Sequence, residues 1–288
     1  MEYSRPKVIS EIGCNHMGDM NIAKELITLS KECGANVAKF QKRNNKKLLS
    51  EEQYNSPHPN PINSYGATYG EHREFLEFTK EEHIDLQKYC KDIGIKYSTS
   101  VWDIISAKEI IDLNPDLIKV PSACNNNFEM LEILRDSFNG EIHISFGMTT
   151  KKEEDQIVSF FEQKNVAKNQ LIIYSCTSGY PVPFNDVCLK EIIRMYDKYE
   201  NRVKEIGFSG HHLGIAIDIA AYTLGAKWIE RHFTKDRSWK GTDHSASLEA
   251  PGLKKLTRDL NAAYSSLNYK SSDILEIEMV QRKKLKNI

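Results

Sequence analysis

The chain has 288 residues, 40% hydrophobic and 27% charged, enough for one (β/α)8 barrel or for two domains of average size. Lysine and arginine total 39 against 40 acidic residues, a net charge of −1, which excludes a global electrostatic pull toward nucleic acid or anionic membranes and makes any anion site local. Six cysteines without a CxxC pair exclude a disulfide framework and a thiolate zinc site; with no long apolar span and no signal-like start, the cytoplasm is the expected compartment.

In chain order, short apolar runs predict strands over 8–13, 37–41, 96–101, 117–122, 141–146, 171–177, 205–209 and 227–233, each followed by a helix. The first helix carries Ile22, Leu26, Leu29 and Cys33 on one stripe, and the last repeats the spacing with Leu253, Leu256, Leu260, Ala263 and Leu267. Eight βα cycles with near-continuous apolar strands favour a closed (β/α)8 TIM barrel over an open doubly wound sheet. The connection over 42–81 is far longer than usual and contains SYGATYGEHR, the kind of loop that works at a barrel mouth. The expected layout is one barrel domain over 1–268 and a polar C-terminal tail over 269–288.

A barrel does its chemistry where strands end and loops begin. Strand one ends in EIGCNHMGD, which sets Glu11, Asn15 and His16 at the mouth. VAKFQ and LIKVPS bury Lys39 and Lys119 inside apolar runs, and a buried ammonium needs an anionic partner. Glu11 alone does not balance two lysines, so a bound phosphate or carboxylate is expected, with Ser100, Ser122, Thr177 and Ser209 as neutral donors; the other reading is that one lysine snorkels outward. FSGHHLG and IERHF bring His211 and His232 from adjacent strands, a pair suited to a divalent metal with Asp243 of GTDH as a further oxygen group. Two imidazoles leave positions open for water and substrate, which is the arrangement of a Lewis acid. Among the remaining histidines, His58, His83 and His143 have surface or packing roles. His72 with Arg73 either reaches over the mouth or is a solvated loop pair, and Cys124 is an inert thiol.

Taken together, EIGCNHMGD, GANVAKFQK, IKVPSA, SFGMTT, YSCTSGYPVPFNDV, GFSGHHLGI, TLGAKWIERHFTKDR and GTDHSASLEA resemble the sialic acid synthase family across nearly the whole chain. That family condenses phosphoenolpyruvate with an N-acylated amino sugar. The resemblance implies a metal-dependent transferase using Mn2+ or Mg2+ on His211 and His232. It assigns Lys39, Gln41, Lys119, Ser122 and Ser209 to phosphoenolpyruvate, Ser100, Tyr180 and Asp243 to the sugar, and Glu11, Asp243 and Lys119 to catalysis. A homodimer is expected as in relatives.

Three departures bear on the sugar. PSAC puts Cys124 where relatives have a glutamate, and His212 follows His211 where relatives read SDHT. The chain as given also stops before the antifreeze-like domain of most relatives, as in a short subgroup of the family. The acceptor is therefore open between an N-acylated sugar and a non-N-acylated one such as mannose, a hexose phosphate or a shorter aldose. A non-catalytic barrel that binds a sugar phosphate is the alternative from another class.

Overall fold

The computed structural model describes residues 2–286. Eight parallel strands, β1 (Lys7–Gly13), β2 (Val37–Lys42), β3 (Lys96–Val101), β4 (Leu117–Val120), β5 (Glu141–Ser145), β6 (Leu171–Cys176), β7 (Glu205–Gly210) and β8 (Trp228–His232), close on themselves in sequence order, with β8 pairing β1. The predicted TIM barrel is the observed fold. The fourth strand ends earlier than expected because Pro121 brings no N–H to the ladder, and Ser122–Cys124 turns into a 3-10 helix instead.

Outside the barrel run α1 (Met20–Glu32), α2 (Asn45–Leu48), α3 (Glu51–Asn55), α4 (Tyr69–Phe75), α5 (Lys80–Ile93), α6 (Ile104–Leu113), α7 (Phe128–Ser137), α8 (Lys151–Glu162), α9 (Ala167–Gln170), α10 (Lys190–Tyr199), α11 (Ala216–Thr223), α12 (Ala250–Ser266) and α13 (Glu276–Leu285). Their starts are written locally: Thr79 and Glu82 form a capping box on α5, as do Thr150 and Glu153 on α8. Gly94, at φ 75°, closes α5 in the left-handed conformation that a side chain disfavours. The α1 and α12 stripes bury Leu26, Ile27, Leu253, Leu256 and Leu260 in a belt against the outer faces of the strands. No helix among the described residues is long and apolar enough to cross a membrane. Part of the expected polar tail is helical, since α13 is built of strong helix formers, and it leaves Ile277 and Val280 exposed.

Alternation along the strands decides what the barrel interior holds. Its lower layer is apolar, with Ile9, Val37, Leu117, Ile172, Tyr174 and Trp228 packed together. Gly207 is required there, because a Cβ would stand 2.5 Å from the Tyr174 ring. One step further along the same faces come Glu11, Lys39, Lys119, Ser209 and Glu230, all buried. The long β2–α5 connection folds as α2, α3, a 3-10 turn at Pro61–Asn63 and α4. It is tied to the β8–α12 loop where Tyr65 donates to the Lys240 carbonyl and Gly241 N donates to Asn63 Oδ1.

Candidate active site

Strand ends from around the barrel enclose a cavity of about 390 Å³ at its C-terminal mouth. Every residue that the family resemblance assigns to substrate, metal or catalysis lines it: Glu11, Lys39, Gln41, Ser100, Lys119, Ser122, Tyr180, Ser209, His211, His232 and Asp243. A wider groove of about 1150 Å³ opens between α1, α5 and the N-terminal strand ends, the end of a barrel that carries stability rather than chemistry.

At the floor, Lys39 pairs with Glu11 and donates to Ser100 Oγ at 2.8 Å, while Gln41 Nε2 donates to the other oxygen of Glu11 at 2.9 Å. Lys119 Nζ donates to Glu230 Oε2 at 3.0 Å and sits 3.7 Å above the Tyr174 ring. Glu230 lies 3.7 Å from Lys39 and accepts from Ser209 Oγ at 3.0 Å. The two lysines therefore balance Glu11 and Glu230 within the protein, which corrects the expectation that a bound anion must supply the second counter-charge. Neither lysine snorkels out. Burial pulls the Lys39 ammonium down, but two carboxylates outweigh it and hold it above the ordinary lysine value. At Lys119 burial wins, with Glu230 opposing and Lys39 adding repulsion, so its affinity for a proton falls. Glu230, despite burial, is held well below the usual carboxylate range by Lys119 and Lys39.

Above the floor the rings of His211 and His232 stand 5.4 Å apart, with Tyr180 4.4 Å from His211. His211 Nδ1 faces the Thr177 carbonyl at 3.2 Å, which fixes that nitrogen as the N–H donor and leaves Nε2 with a lone pair. Burial, helped by His232, lowers His211 to about 3, so the imidazole is neutral. His232 Nδ1 is buried without a hydrogen-bond partner, 3.8 Å from Asp243 Oδ2. Burial would raise Asp243, but His232, the Thr242 hydroxyl and the guanidinium groups of Arg43 and Arg73 hold it below its usual value. Among the described residues no three His, Cys, Asp or Glu side chains close on one point.

Some expected positions lie elsewhere. Asn15 is structural, its Nδ2 donating to the Phe233 carbonyl and Ser247 Oγ at 2.9 Å, and His16 is buried, stacked on Phe78 at 4.1 Å. Thr177 Oγ1 turns away to the Asp186 carbonyl; Ser145, Ser178 and Cys176 take that wall of the cavity. His83 and His143 are wholly buried against Tyr97 and Tyr174. His72 packs on His58, whereas Arg73 reaches the cavity. Cys124 is buried beside the Val101 carbonyl and pushed up to about 12 by burial, and its neighbour Ala123 lines the cavity in its place. Glu230, Arg43, Trp102 and Ser178 escaped sequence reasoning, although all but Ser178 stand two residues from a strand-end residue already singled out, and two is the period of a strand.

A closed (β/α)8 barrel whose mouth joins a buried two-lysine, two-carboxylate floor to a pair of facing imidazoles defines an enzyme of the barrel class. The NeuB family model matches residues 26–272. The chain is 39% identical over 283 residues to N-acetylneuraminate-9-phosphate synthase of Homo sapiens, covering 96% of this chain and 76% of that protein. It is 31% identical over 264 residues to N,N'-diacetyllegionaminic acid synthase of Legionella pneumophila, covering 90% and 72%. The crystal structure of N-acetylneuraminic acid synthetase from Leptospira borgpetersenii, in complex with citrate, superposes with a TM-score of 0.82 at 26% identity, covering 99% of this chain and 94% of that one. The chain belongs to the NeuB family. It is a phosphoenolpyruvate-dependent condensing synthase that forms a carbon–carbon bond to a sugar and makes an ulosonic acid.

Proposed function

We propose that the cavity seats phosphoenolpyruvate on its floor and an aldose above it, and that Lys39, Gln41, Lys119, Ser122 and Ser209 hold the donor. The observation that carries this reading is the layering of one cavity, with two buried ammonium groups and a ring of hydroxyls below and the His211 and His232 imidazoles with Asp243 above. The neutral His211 and the orphaned His232 Nδ1 fit a divalent ion. Manganese or magnesium held by these two side chains would act as a Lewis acid on the acceptor carbonyl.

Carbon three of phosphoenolpyruvate adds to the aldehyde carbon, water adds at carbon two, and the carbon–oxygen bond to phosphate breaks, giving ulosonic acid and inorganic phosphate. The chain's own part is positional and electrostatic. Lys39 and Lys119 fix the donor anion, the serines orient it, and Glu11 or Asp243 takes the proton of the incoming water. Ser100, Tyr180 and Asp243 face the sugar. The barrel over 1–268 acts as a single catalytic domain in a homodimer. All six cysteines are free, which supports a cytoplasmic setting.

The test is phosphate release from phosphoenolpyruvate with manganese across N-acetylmannosamine, mannose, their 6-phosphates and shorter aldoses. Release that depends on one aldehyde supports the synthase and names its acceptor. Full metal-dependent turnover by a folded His211→Ala variant would remove the metal assignment. Silence over the whole panel with folded, metal-loaded protein would favour a non-catalytic sugar-phosphate-binding barrel.

A further inference from the structure

The floor rests on a layer that does not itself line the cavity. Tyr174 on β6 is wholly buried beneath the cavity wall, and the Lys119 ammonium sits 3.7 Å above the centre of its ring. That ring is held from below. Burial lowers His143 to about 4, so the imidazole is neutral at pH 7; burial would raise Glu141, but His143 and Lys204 bring it down to about 2. An ionised carboxylate only accepts, so His143 Nε2, 3.4 Å from Glu141, carries the proton. His143 Nδ1 is then the acceptor, and the Tyr174 hydroxyl donates to it at 2.7 Å. Lys204 closes the chain 2.6 Å from Glu141, and the Trp228 ring stands edge-on to His143 at 4.7 Å. On the neighbouring strand Gly207 leaves the ring the room that a Cβ would take.

The two floor lysines differ in what surrounds them. Lys39 has Glu11, Glu230 and the Ser100 hydroxyl within reach. Among the described residues Lys119 has one acceptor, Glu230, and Lys39 repels it. From this layering we infer that Tyr174 is a positioning residue of the donor site: its ring face supports the Lys119 ammonium in place of a second carboxylate, and His143 holds the ring beneath it. The inference rests on the proposed assignment of Lys119 to phosphoenolpyruvate. An aromatic ring attracts an ammonium through its quadrupole while carrying no net charge. A second carboxylate in the same place would neutralise the lysine and repel the phosphate and carboxylate of the donor. With Glu230 on one N–H and the ring below, the remaining donors of Lys119 are left to the cavity that it lines.

The experiment measures kcat and KM for phosphoenolpyruvate with manganese and the acceptor found in the panel above, and the calorimetric Kd of phosphoenolpyruvate alone, on the wild type, Tyr174→Phe, Tyr174→Met and Lys119→Met. Tyr174→Met keeps apolar volume and removes the ring face. It should raise KM and Kd by roughly 10- to 30-fold, the worth of a buried cation–π contact, with kcat within about twofold. Tyr174→Phe keeps the ring and should recover all but about threefold of that rise. A tyrosine that only fills the core would lower the urea stability of Tyr174→Met and leave KM and Kd of the folded protein alone, which would overturn the inference. So would a Tyr174→Phe variant as impaired as Tyr174→Met. In the Lys119→Met background Tyr174→Met should move Kd by less than about twofold, and a full additional loss there overturns the inference as well. If Tyr174→Met does not fold, fluorinated phenylalanines at position 174 keep the shape of the ring and drain its face of charge; Kd should rise with each fluorine, and a flat series refutes the cation–π support. Unchanged KM and Kd in Lys119→Met would overturn the donor assignment itself, whereas a loss there with none in Tyr174→Met overturns the positioning role alone.

Discussion

Glu230→Gln tests the charge balance of the floor. The Lys119 and Glu230 side chains are 2% and 8% exposed, and among the described residues this carboxylate is the only one within 4 Å of Lys119, while Lys39 retains Glu11. Removing one partner of a buried ion pair costs about 3–5 kcal/mol. The glutamine carbonyl still accepts from Lys119 and its amide can donate to the Ser209 hydroxyl in place of the lost oxygen, which places the expected loss near the lower end, about 3 kcal/mol, or a fall in Tm of roughly 6–12 °C at 2–4 °C per kcal/mol. Urea unfolding at pH 7 measures it, with an unchanged m-value showing that the folded state is intact. Two companion results follow from the same reasoning. Lys119→Met in the Glu230→Gln background should recover much of the loss, because the stranded ammonium is gone, and phosphate or phosphoenolpyruvate should stabilise the single variant more than the wild type. A Glu230→Gln variant within about 0.5 kcal/mol of the wild type, or a double variant whose losses simply add, would refute the view that Glu230 is the counter-charge of Lys119.

Three further outcomes are expected. Burial, with Lys42 and His16 adding, lowers His83 to about 3, and burial likewise lowers His16 to about 3 and His143 to about 4. Because the unfolded chain takes up these protons first, each histidine stabilises the fold above about pH 6.5 and loses that contribution as pH falls toward its folded value, at up to about 1.4 kcal/mol per pH unit. Urea titrations between pH 7 and 5 should show the decline, flattened by about one proton in His83→Gln; an unchanged slope would sink this account. A Cβ on Gly147 would stand 2.4 Å from Ser178 Oγ and 2.7 Å from Ser122 Oγ, both on the cavity wall. Gly147→Ala should therefore raise the KM for phosphoenolpyruvate by roughly tenfold, about one displaced hydrogen bond, and an unaltered KM in a folded variant would mean that those hydroxyls do not hold the donor. Iodoacetamide at pH 7 followed by mass spectrometry should label exposed Cys188 first and leave half-buried Cys176, pushed up to about 11 by desolvation, as a thiol; rapid labelling of Cys176 with loss of turnover would contradict its protonated state.

Much of this was legible in the sequence because a barrel has only two periods to read. The strand runs and the Leu26 and Leu253 stripes give the architecture, and residues just at the strand ends, such as Lys39, Gln41, His211 and Asp243, fall in the cavity for the same reason. Errors arose where side chains leave the strand. Asn15 and His16 follow Gly13, whose φ of 56° turns the chain off the strand and buries both side chains under the loops. Cys124 sits on the 3-10 turn after Pro121 and faces the Val101 carbonyl. Neither change of direction is written in hydrophobic periodicity.

Glu230 shows a different limit. Lys119 hides in the apolar run of β4 and its partner in that of β8, more than a hundred positions away in sequence and on the opposite side of the barrel, so a charge count taken strand by strand leaves the lysine unbalanced and invites a ligand to fill the gap. The closed barrel removes that gap, and with it the reason to expect a tightly held resident anion. A floor that is neutral in itself can bind phosphoenolpyruvate and release phosphate without stranding two ammonium groups between turnovers. The anion can thus serve as a substrate that comes and goes, while Glu11 and Glu230 keep the floor folded in its absence.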